Sequence, residues 1–335
     1  MSPKNVEILR MSPSRSPNAR AGIDLGGTKI QAAIVSEEGV VLGSARCATP
    51  VNGGPASVVL ALAEMVREAA KSAGTPVPAR IGIGTPGSVD ARREKVSGAR
   101  NLSGFNETVP LAMLLADELR RTDDARHQVV LGNDVGVALD AEARLGAGAD
   151  LGSFLGIWWG TGVGGGVVMR GERWLGRGAA GEIGHVVVAM GGRLCPCGRK
   201  GCVEAYAGRR ALEERARRLH DRGARTKLFK IAAKKGKERL TSGVWADALD
   251  DGDELAERLI TRAVLAIAAG AASAVNLLDV EGVVLGGGLG TRLGEPYAER
   301  IAIAMQPHLF RDERPPVVRV SKMGDFAGAI GAALL

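Results

Sequence analysis

Short apolar runs separated by glycine-containing turns open the first half of the chain. The runs AGIDL from Ala21, KIQAAIV from Lys29 and VVLGSARCA from Val40 predict three consecutive strands. Apolar positions at helical spacing predict helices over residues 55–71 and 111–120. The runs RIGIG and HQVVLGND predict two further strands, and the second leads into a predicted helix that ends near residue 144. This alternation is typical of an α/β domain.

The second half of the chain begins with the same pattern. SFLGIWW predicts a strand, GTGVGGG at 160–166 a glycine turn, and VVMRG a returning strand. Residues from about 204 to 303 have mostly helical spacing, interrupted by the apolar strand EGVVL and the run GGG at 286–288. PPVVRVS predicts a last strand and DFAGAIGAALL a terminal helix. Two strand–turn–strand units about one domain apart therefore predict two similar α/β domains that face each other across a cleft.

Length and charge support this interpretation and weaken one alternative. A chain of 335 residues is long enough for two domains that each bury a core. The net charge of +7 could indicate a nucleic-acid surface, but a surplus of three positive charges lies within residues 1–20. Arginines scattered over helix surfaces explain the rest, and we expect no nucleic-acid partner.

The N-terminal segment and the hydropathy of the chain bear on its location. Residues 1–20 are rich in Ser, Pro and Arg and lack the apolar stretch of a signal peptide, which predicts a disordered tail with Met11 as an alternative start. No window approaches the roughly eighteen uninterrupted apolar residues of a membrane helix. We expect a cytoplasmic protein without a membrane partner.

Three glycine-rich turns are candidates for binding a nucleotide. Glycines let the backbone pass close to an anion, with amide groups free to bind phosphate oxygens. Each turn also has a structural interpretation, because Gly-Gly is common in hairpins and in loops between strands and helices. A pair of hairpins, one in each domain, would suit a triphosphate. The candidate residues are Asp24, Gly26, Gly27, Thr28, Lys29, Gly160, Thr161, Gly162, Gly286, Gly287 and Gly288.

Two acidic residues follow predicted strands, at the edge where α/β folds bind ligands. Asp134 could accept the proton of an attacking hydroxyl that Asn133 orients, although Asp134 could equally be only the N-cap of the next helix. Asp24 could position Mg²⁺ through water, or it could only stabilise its turn.

The cysteines are arranged for metal binding rather than for a disulfide scaffold. Three of the four lie within eight residues, at Cys195, Cys197 and Cys202, and His185 precedes them. Four nitrogen and sulfur ligands suit a closed tetrahedral Zn²⁺ site, which is structural because no position stays open. The alternative is three free thiols in a flexible loop. Glu182 and Glu204 flank the cluster and could bind sugar hydroxyls.

Taken together, these motifs resemble the ROK family of sugar kinases and repressors over nearly all of residues 21–335. The matching motifs are DLGGTK at 24–29, NLSG at 101–104, GND at 132–134, GTGVGGG at 160–166, GEIGH at 181–185, CPCGRKGCVE at 195–204 and LGGG at 285–288.

The resemblance implies an actin-like ATPase fold, in which two ribonuclease H-like α/β domains surround a central cleft. We expect a disordered tail over 1–20, a small domain over 21–131 that includes the terminal helix 325–335, and a large domain over 132–324. The zinc-binding loop spans 185–202.

The resemblance also implies roles for individual residues. Asp134 would be the catalytic base, and the sugar would be bound by Asn101, Asn133, Asp134, Glu182, His185 and Glu204. ATP with Mg²⁺ would use the three glycine turns, with residues 286–288 on the adenosine side. Many family members carry Pro and Trp where this chain reads NLSGF, so we expect Ser103 and Phe105 to alter the wall of the sugar pocket.

The function implied is an ATP-dependent hexose kinase that phosphorylates a 6-hydroxyl, with glucose as the expected substrate. N-Acetylmannosamine, N-acetylglucosamine, fructose and mannose stay open as substrates, as does polyphosphate as donor. Alternatives without catalysis are a sugar-binding protein and a family repressor. A repressor needs some sixty residues of winged helix before the first glycine turn, and about twenty precede it here. By resemblance we expect a homodimer.

Overall fold

The structure of the chain is a computed structural model, and it describes residues 19–99, 101–122 and 125–335. Most of the predicted disordered tail, residues 1–18, lies outside the described residues, and the first strand begins at Arg20.

The helices and strands follow the predicted order. From the N-terminus they are β1 (Arg20–Leu25), β2 (Lys29–Val35), β3 (Val41–Ala48), α1 (Gly54–Ala73), β4 (Arg80–Thr85), β5 (Ser88–Val89), β6 (Val96–Ser97), α2 (Leu111–Arg120), β7 (Gln128–Asn133) and α3 (Asp134–Leu145). They continue with β8 (Ser153–Trp159), β9 (Val163–Met169), β10 (Glu172–Trp174), α4 (Glu204–Ala207), α5 (Arg209–His220), α6 (Leu228–Lys234), α7 (Ser242–Asp250), α8 (Glu254–Leu278), β11 (Gly282–Gly286), α9 (Gly287–Leu293), α10 (Glu295–Met305), β12 (Val317–Val320) and α11 (Ala327–Ala333).

The chain divides into two compact units. Unit 1 consists of the chain up to Leu145 together with the C-terminal residues Asp325–Leu335. Unit 2 is Gly146–Gly324. The central sheet of unit 1 has the strand order β3-β2-β1-β4-β7, in which β1 is antiparallel to β2 and parallel to β4. The sheet of unit 2 has the order β10-β9-β8-β11-β12 with the same directions. The shared topology confirms the predicted repeat of two similar α/β folds.

The boundary between the units differs from the prediction of residue 131. Strand β7 completes the sheet of unit 1 only at Asn133, and α3 belongs to the same unit. The physical reason is that α3 packs on α11, where Gly331 leaves no room for a side chain against the backbone of Val137. Helix α11 also packs on β1, where Gly22 meets the backbone of Ala329.

The glycine turn predicted over residues 160–166 is shorter in the structure. Only residues 160–162 form the turn, because Gly164–Gly166 lie inside β9. A side chain at Gly165 would come within 2.6 Å of the Gly156 carbonyl oxygen in β8 and of the Ile183 side chain. Gly165 therefore serves close packing of β9 against β8 and Ile183 rather than turn formation.

Helix α8 is the one described helix that is long and apolar enough to cross a membrane. Its sequence does not contain eighteen uninterrupted apolar residues, because Arg262 and Ser273 lie within it. Its most apolar window is 61% buried, and its apolar side chains belong to the core of unit 2, which is typical of a core helix.

Candidate functional site

The glycine turn of unit 1 joins β1 to β2 and is fastened by a single threonine. The Gly26 amide donates to the Lys29 carbonyl oxygen at 2.9 Å. Thr49 then holds both ends, since its hydroxyl donates to the Gly26 carbonyl oxygen at 2.6 Å and its amide to the Thr28 carbonyl oxygen at 3.2 Å. The amides of Gly27 and Thr28 have no acceptor among the described residues. Two adjacent free amides suit an anion.

The predicted sugar ligand Asn101 lies against this turn. A side chain at Gly27 would come within 2.8 Å of Asn101 Nδ2, so glycine is required for the asparagine to approach. The structure thus brings Asn101 and a predicted phosphate-binding residue together in unit 1.

Asp24 lies beneath the turn at the end of β1. Burial raises the pKa of Asp24 to about 6, the nearby Lys29 ammonium opposes this shift, and the Asp134 and Asp325 carboxylates add to it. Because one carboxylate shifts the pKa of the other, Asp24 and Asp134 belong to one electrostatic environment in unit 1. A divalent cation near Asp24 would relieve this repulsion.

The structure assigns the helix cap to Asn133 rather than to Asp134. Helix α3 begins at Asp134, and Asn133 Oδ1 accepts from the Gly136 amide at 3.1 Å, three residues on. Asn133 Nδ2 donates to the Gly87 carbonyl oxygen at 3.4 Å. The Asn133 side chain is therefore fixed by two hydrogen bonds within the protein. The N-cap role that was an alternative for Asp134 belongs to Asn133.

Asp134 is left as a half-buried carboxylate in the first turn of α3. Its Oδ1 accepts from the Val135 amide at 2.8 Å. Burial is the largest influence and raises the pKa of Asp134, although the hydrogen bonds of the Val135 amide and the Asn133 side chain oppose it. A higher pKa makes the carboxylate a stronger proton acceptor, which suits a general base.

The glycine turn of unit 2 joins β8 to β9 and is tighter. The Gly160 amide donates to the Gly162 carbonyl oxygen at 3.0 Å, and the amides of Thr161 and Gly162 have no acceptor within the described part of the chain. Glu204, the first residue of α4, accepts from the Val163 amide at 2.8 Å. This predicted sugar ligand is therefore tied to the turn through one carboxylate oxygen.

The third glycine run lies next to this turn. A side chain at Gly160 would meet the Gly288 amide nitrogen at 3.8 Å. Gly287 has φ +80, and a side chain there would come within 2.7 Å of the Trp159 backbone, while one at Gly286 would come within 3.0 Å of the Trp158 indole. Packing on β8 explains Gly286 and Gly287, and only Gly288 is exposed.

The predicted metal ligands converge in the loop of unit 2. The ligand atoms of His185, Cys195, Cys197 and Cys202 all lie within 4.8 Å of one another. Cys197 Sγ and Cys202 Sγ are 3.7 Å apart, and Cys195 Sγ is 3.8 Å from His185 Nδ1. Zn–S bonds of about 2.3 Å at tetrahedral angles place two sulfurs about 3.8 Å apart. The donor set and its spacing therefore fit Zn²⁺.

The two remaining predicted sugar ligands flank this cluster. His185 ends a short 3-10 helix, Ile183–His185, that packs on β9. Its Nδ1 faces Cys195 Sγ, so Nε2 is the ring atom available to another partner. Glu182 is exposed, and its side chain has no partner among the residues that the structure describes.

One expectation about the sugar pocket is wrong. Phe105 is fully buried in the hydrophobic core of unit 1 and so does not form the wall of a pocket. Ser103 is exposed. The apolar size of Phe105 is used for packing, which the motif comparison did not reveal.

Two residues that support the turns were not predicted. Thr49 fastens the turn of unit 1 from 23 residues away, and Arg209 donates to Thr161 in unit 2 from 48 residues away. Both contacts are long-range, and no local spacing in the sequence indicates them.

Fold and site together define an α/β protein of the actin-like ATPase type, with two glycine turns and a loop that carries four potential metal ligands. The ROK family model matches residues 20–335, and the chain belongs to the ROK family. The chain is 32% identical to a glucokinase of Thermotoga maritima over 317 residues, which cover 93% of this chain and 95% of that protein. It is 33% identical to an N-acetylmannosamine kinase of Yersinia pseudotuberculosis over 319 residues, covering 93% and 96%.

A solved structure resembles the chain over a similar length. The ROK family glucokinase from Streptomyces griseus, in complex with glucose and AMPPNP, is 32% identical with a TM-score of 0.76. The match covers 94% of this chain and 98% of that one.

Proposed function

We propose that the protein is an ATP-dependent hexose kinase that phosphorylates the 6-hydroxyl of its sugar, with glucose as the main substrate. The observation that carries this proposal is Asp134, a half-buried carboxylate of raised pKa that directly follows β7. Its support comes from the free amides of both glycine turns and from the kinases to which the chain is similar.

In this mechanism Asp134 accepts the proton of the sugar hydroxyl as that oxygen attacks the γ-phosphorus of ATP, the bond from this phosphorus to the β,γ-bridging oxygen breaks, and ADP leaves. Asn133, held by Gly87 and Gly136, orients the hydroxyl. Catalysis then comes mainly from positioning and from stabilising the charge on the phosphoryl oxygens. Asn101, Glu182, His185 and Glu204 are the further proposed sugar ligands.

The nucleotide would be bound mainly through backbone amides. Gly27, Thr28, Thr161 and Gly162 offer them to the phosphates, with Gly26 and Gly160 shaping the turns and Lys29 adding a positive charge. Of the third run, Gly288 is the residue exposed to a ligand, while Gly286 and Gly287 let the backbone approach. Mg²⁺ near Asp24 would neutralise charge on the phosphates.

Zinc would be held by His185, Cys195, Cys197 and Cys202 in a structural role. The ion would fix the conformation of the loop rather than take part in catalysis, because four protein ligands leave no position for substrate. Thiol ligands favour a reducing compartment such as the cytoplasm. We also propose that the protein forms a homodimer, which light scattering coupled to gel filtration would test.

A second candidate substrate is N-acetylmannosamine, favoured by the similarity to the kinase of Yersinia pseudotuberculosis. The deciding experiment is an ADP-release assay with ATP and a panel of glucose, mannose, fructose, N-acetylglucosamine and N-acetylmannosamine, with products assigned by ³¹P NMR. The proposal expects the highest kcat/KM for glucose and a 6-phosphate product. A higher kcat/KM for N-acetylmannosamine would shift the assignment, and no sugar-dependent ADP release would overturn it.

A further inference from the structure

The glycine turn of unit 2 is fastened from behind by the first residues of α5. The amide of Arg209 donates to the Gly160 carbonyl oxygen at 3.0 Å, and the amide of Arg210 donates to the Thr161 carbonyl oxygen at 3.0 Å. These are the first amides of a helix, which have no partner within it. The turn therefore has its carbonyl groups satisfied, while its amides at Thr161 and Gly162 stay free.

The side chain of Arg209 makes a second connection to the same turn. Its Nη2 donates to Thr161 Oγ1 at 2.8 Å, and its Nη1 donates to the Leu240 carbonyl oxygen at 3.1 Å. Its Nε is buried without a hydrogen-bond partner in the described residues. The guanidinium is thus held at the turn by two contacts and still has an unsatisfied donor.

These contacts determine the direction of the hydrogen bond at Thr161. A guanidinium is donor-only, so the Thr161 oxygen must accept in this pair. The hydroxyl proton of Thr161 must then be donated to another group. Thr161 is exposed, and its hydroxyl donates to no other residue in the described ranges, which leaves it available to an acceptor such as a phosphate oxygen.

The charge of Arg209 is not neutralised by a direct partner. Arg209 forms no salt bridge in the described part of the chain. The nearest carboxylate along α5, Glu213, is occupied by Arg239 Nε at 2.9 and 3.0 Å and by the Leu240 amide at 3.2 Å. A partly buried cation beside two free amides favours an anionic ligand.

We propose that Arg209 is a positioning residue for the ATP phosphates, because its hydrogen bond to Thr161 makes the Thr161 hydroxyl a donor toward them. The proposal rests on the proposed function of the chain as an ATP-dependent kinase. Arg209 acts through Thr161 and is not assigned a contact with the reacting atoms.

The test compares nucleotides with and without phosphates. In Arg209→Met, the dissociation constant for AMPPNP should rise about 10-fold or more, since hydrogen bonds to charged groups are among the stronger ones. The dissociation constant for adenosine and the KM for sugar should change less than about 2-fold. Arg210→Met is the matched control, because Arg210 is exposed and, among the described residues, its side chain pairs only with Glu214 on the same helix.

A double-mutant cycle with Thr161→Val separates positioning from general support of the loop. If Arg209 acts through the threonine hydroxyl, Arg209→Met should add little to the AMPPNP loss of Thr161→Val. Arg209→Lys keeps a charged donor and should recover most of the affinity, which also keeps the test valid if Arg209→Met does not fold.

Three results would overturn the inference: equal losses for AMPPNP and adenosine, additive losses in the cycle, or the same behaviour of the Arg209 and Arg210 variants. In each of these the unmodified protein still phosphorylates sugar, so the proposed function survives. An unmodified protein that neither binds AMPPNP nor releases ADP would overturn both.

Discussion

The glycine turns of the two units have the same place in the same sheet topology but are supported differently. Each connects the first two strands of a five-stranded sheet and has two adjacent free amides and a threonine hydroxyl. The turn of unit 1 carries its own cation, Lys29, and is fastened by Thr49 on the end of the neighbouring strand. The turn of unit 2 has no charged residue, and its cation, Arg209, comes from a helix.

The difference teaches that similar binding turns can depend on different parts of a chain. The turn of unit 1 is supported by the hairpin next to it. The turn of unit 2 depends on Glu204, which lies two residues after Cys202, and on Arg209, which begins the helix after α4. A change in the predicted zinc-binding loop should therefore reach the second turn and spare the first.

The largest expected effect concerns the proposed general base Asp134, because this residue belongs to unit 1 and no counterpart is proposed in unit 2. Asp134→Asn should lower kcat by about 10³-fold or more, as expected for loss of a general base, while the dissociation constants for sugar and AMPPNP stay within about 3-fold. Steady-state ADP release and calorimetry measure these quantities. Asp117→Asn, on an exposed side chain of α2, is the control, and near-normal kcat in Asp134→Asn would contradict the mechanism.

A second effect concerns Asp24, the half-buried carboxylate next to the first turn. Its folded pKa of about 6 exceeds the ordinary 3.8, so between pH 4 and 6 the folded protein binds more protons than the unfolded one. The contribution of Asp24 to stability is therefore present below pH 4 and is lost as the pH rises to about 6. At about 1.4 kcal/mol per pKa unit, the full loss is about 3 kcal/mol.

Asp24→Asn removes this dependence and should gain about 3 kcal/mol relative to the unmodified protein between pH 4 and pH 7. Urea unfolding in Mg²⁺-free buffer measures the difference. The exposed Asp312 provides a control as Asp312→Asn. If the difference in unfolding free energy between Asp24→Asn and the unmodified protein does not change with pH, burial does not raise the pKa of Asp24.

The third effect tests whether the predicted zinc-binding loop, residues 185–202, supports the site residues of unit 2 without affecting those of unit 1. Cys197→Ser or metal chelation should raise the KM for sugar about 10- to 100-fold. The physical reason is that the proposed sugar ligand Glu204 lies two residues after Cys202, so that a loop fixed by the metal orients its carboxylate. Either change should also lower the melting temperature. Cys47→Ser removes a cysteine outside the cluster and should change neither. Unchanged sugar affinity in a protein shown to be free of zinc would make the metal a remote structural element.

Local pattern predicted most of this molecule, and the exceptions share a cause. The hairpins, the helices and the convergence of the predicted metal ligands follow from short-range spacing of apolar, glycine and cysteine residues. The sequence misled where a residue type has two uses: Gly164–Gly166 pack inside a strand, Phe105 fills the core, and Asn133 rather than Asp134 caps α3. Thr49 and Arg209 could not be predicted because their partners are distant in the sequence.

The smallest effect tests, separately for each unit, the proposal that its glycine turn binds phosphate. Thr28→Val and Thr161→Val each remove one hydroxyl, and each should weaken AMPPNP binding about 10-fold without changing adenosine binding. Arg209→Met should add its full loss to Thr28→Val and little to Thr161→Val, because it supports only the second turn.

Calorimetric titration of AMPPNP and adenosine into these two threonine variants is the most direct measurement. The account predicts a selective loss of AMPPNP affinity in both variants. A threonine substitution that leaves AMPPNP affinity unchanged, or that weakens adenosine equally, would contradict the claim that its turn binds phosphate.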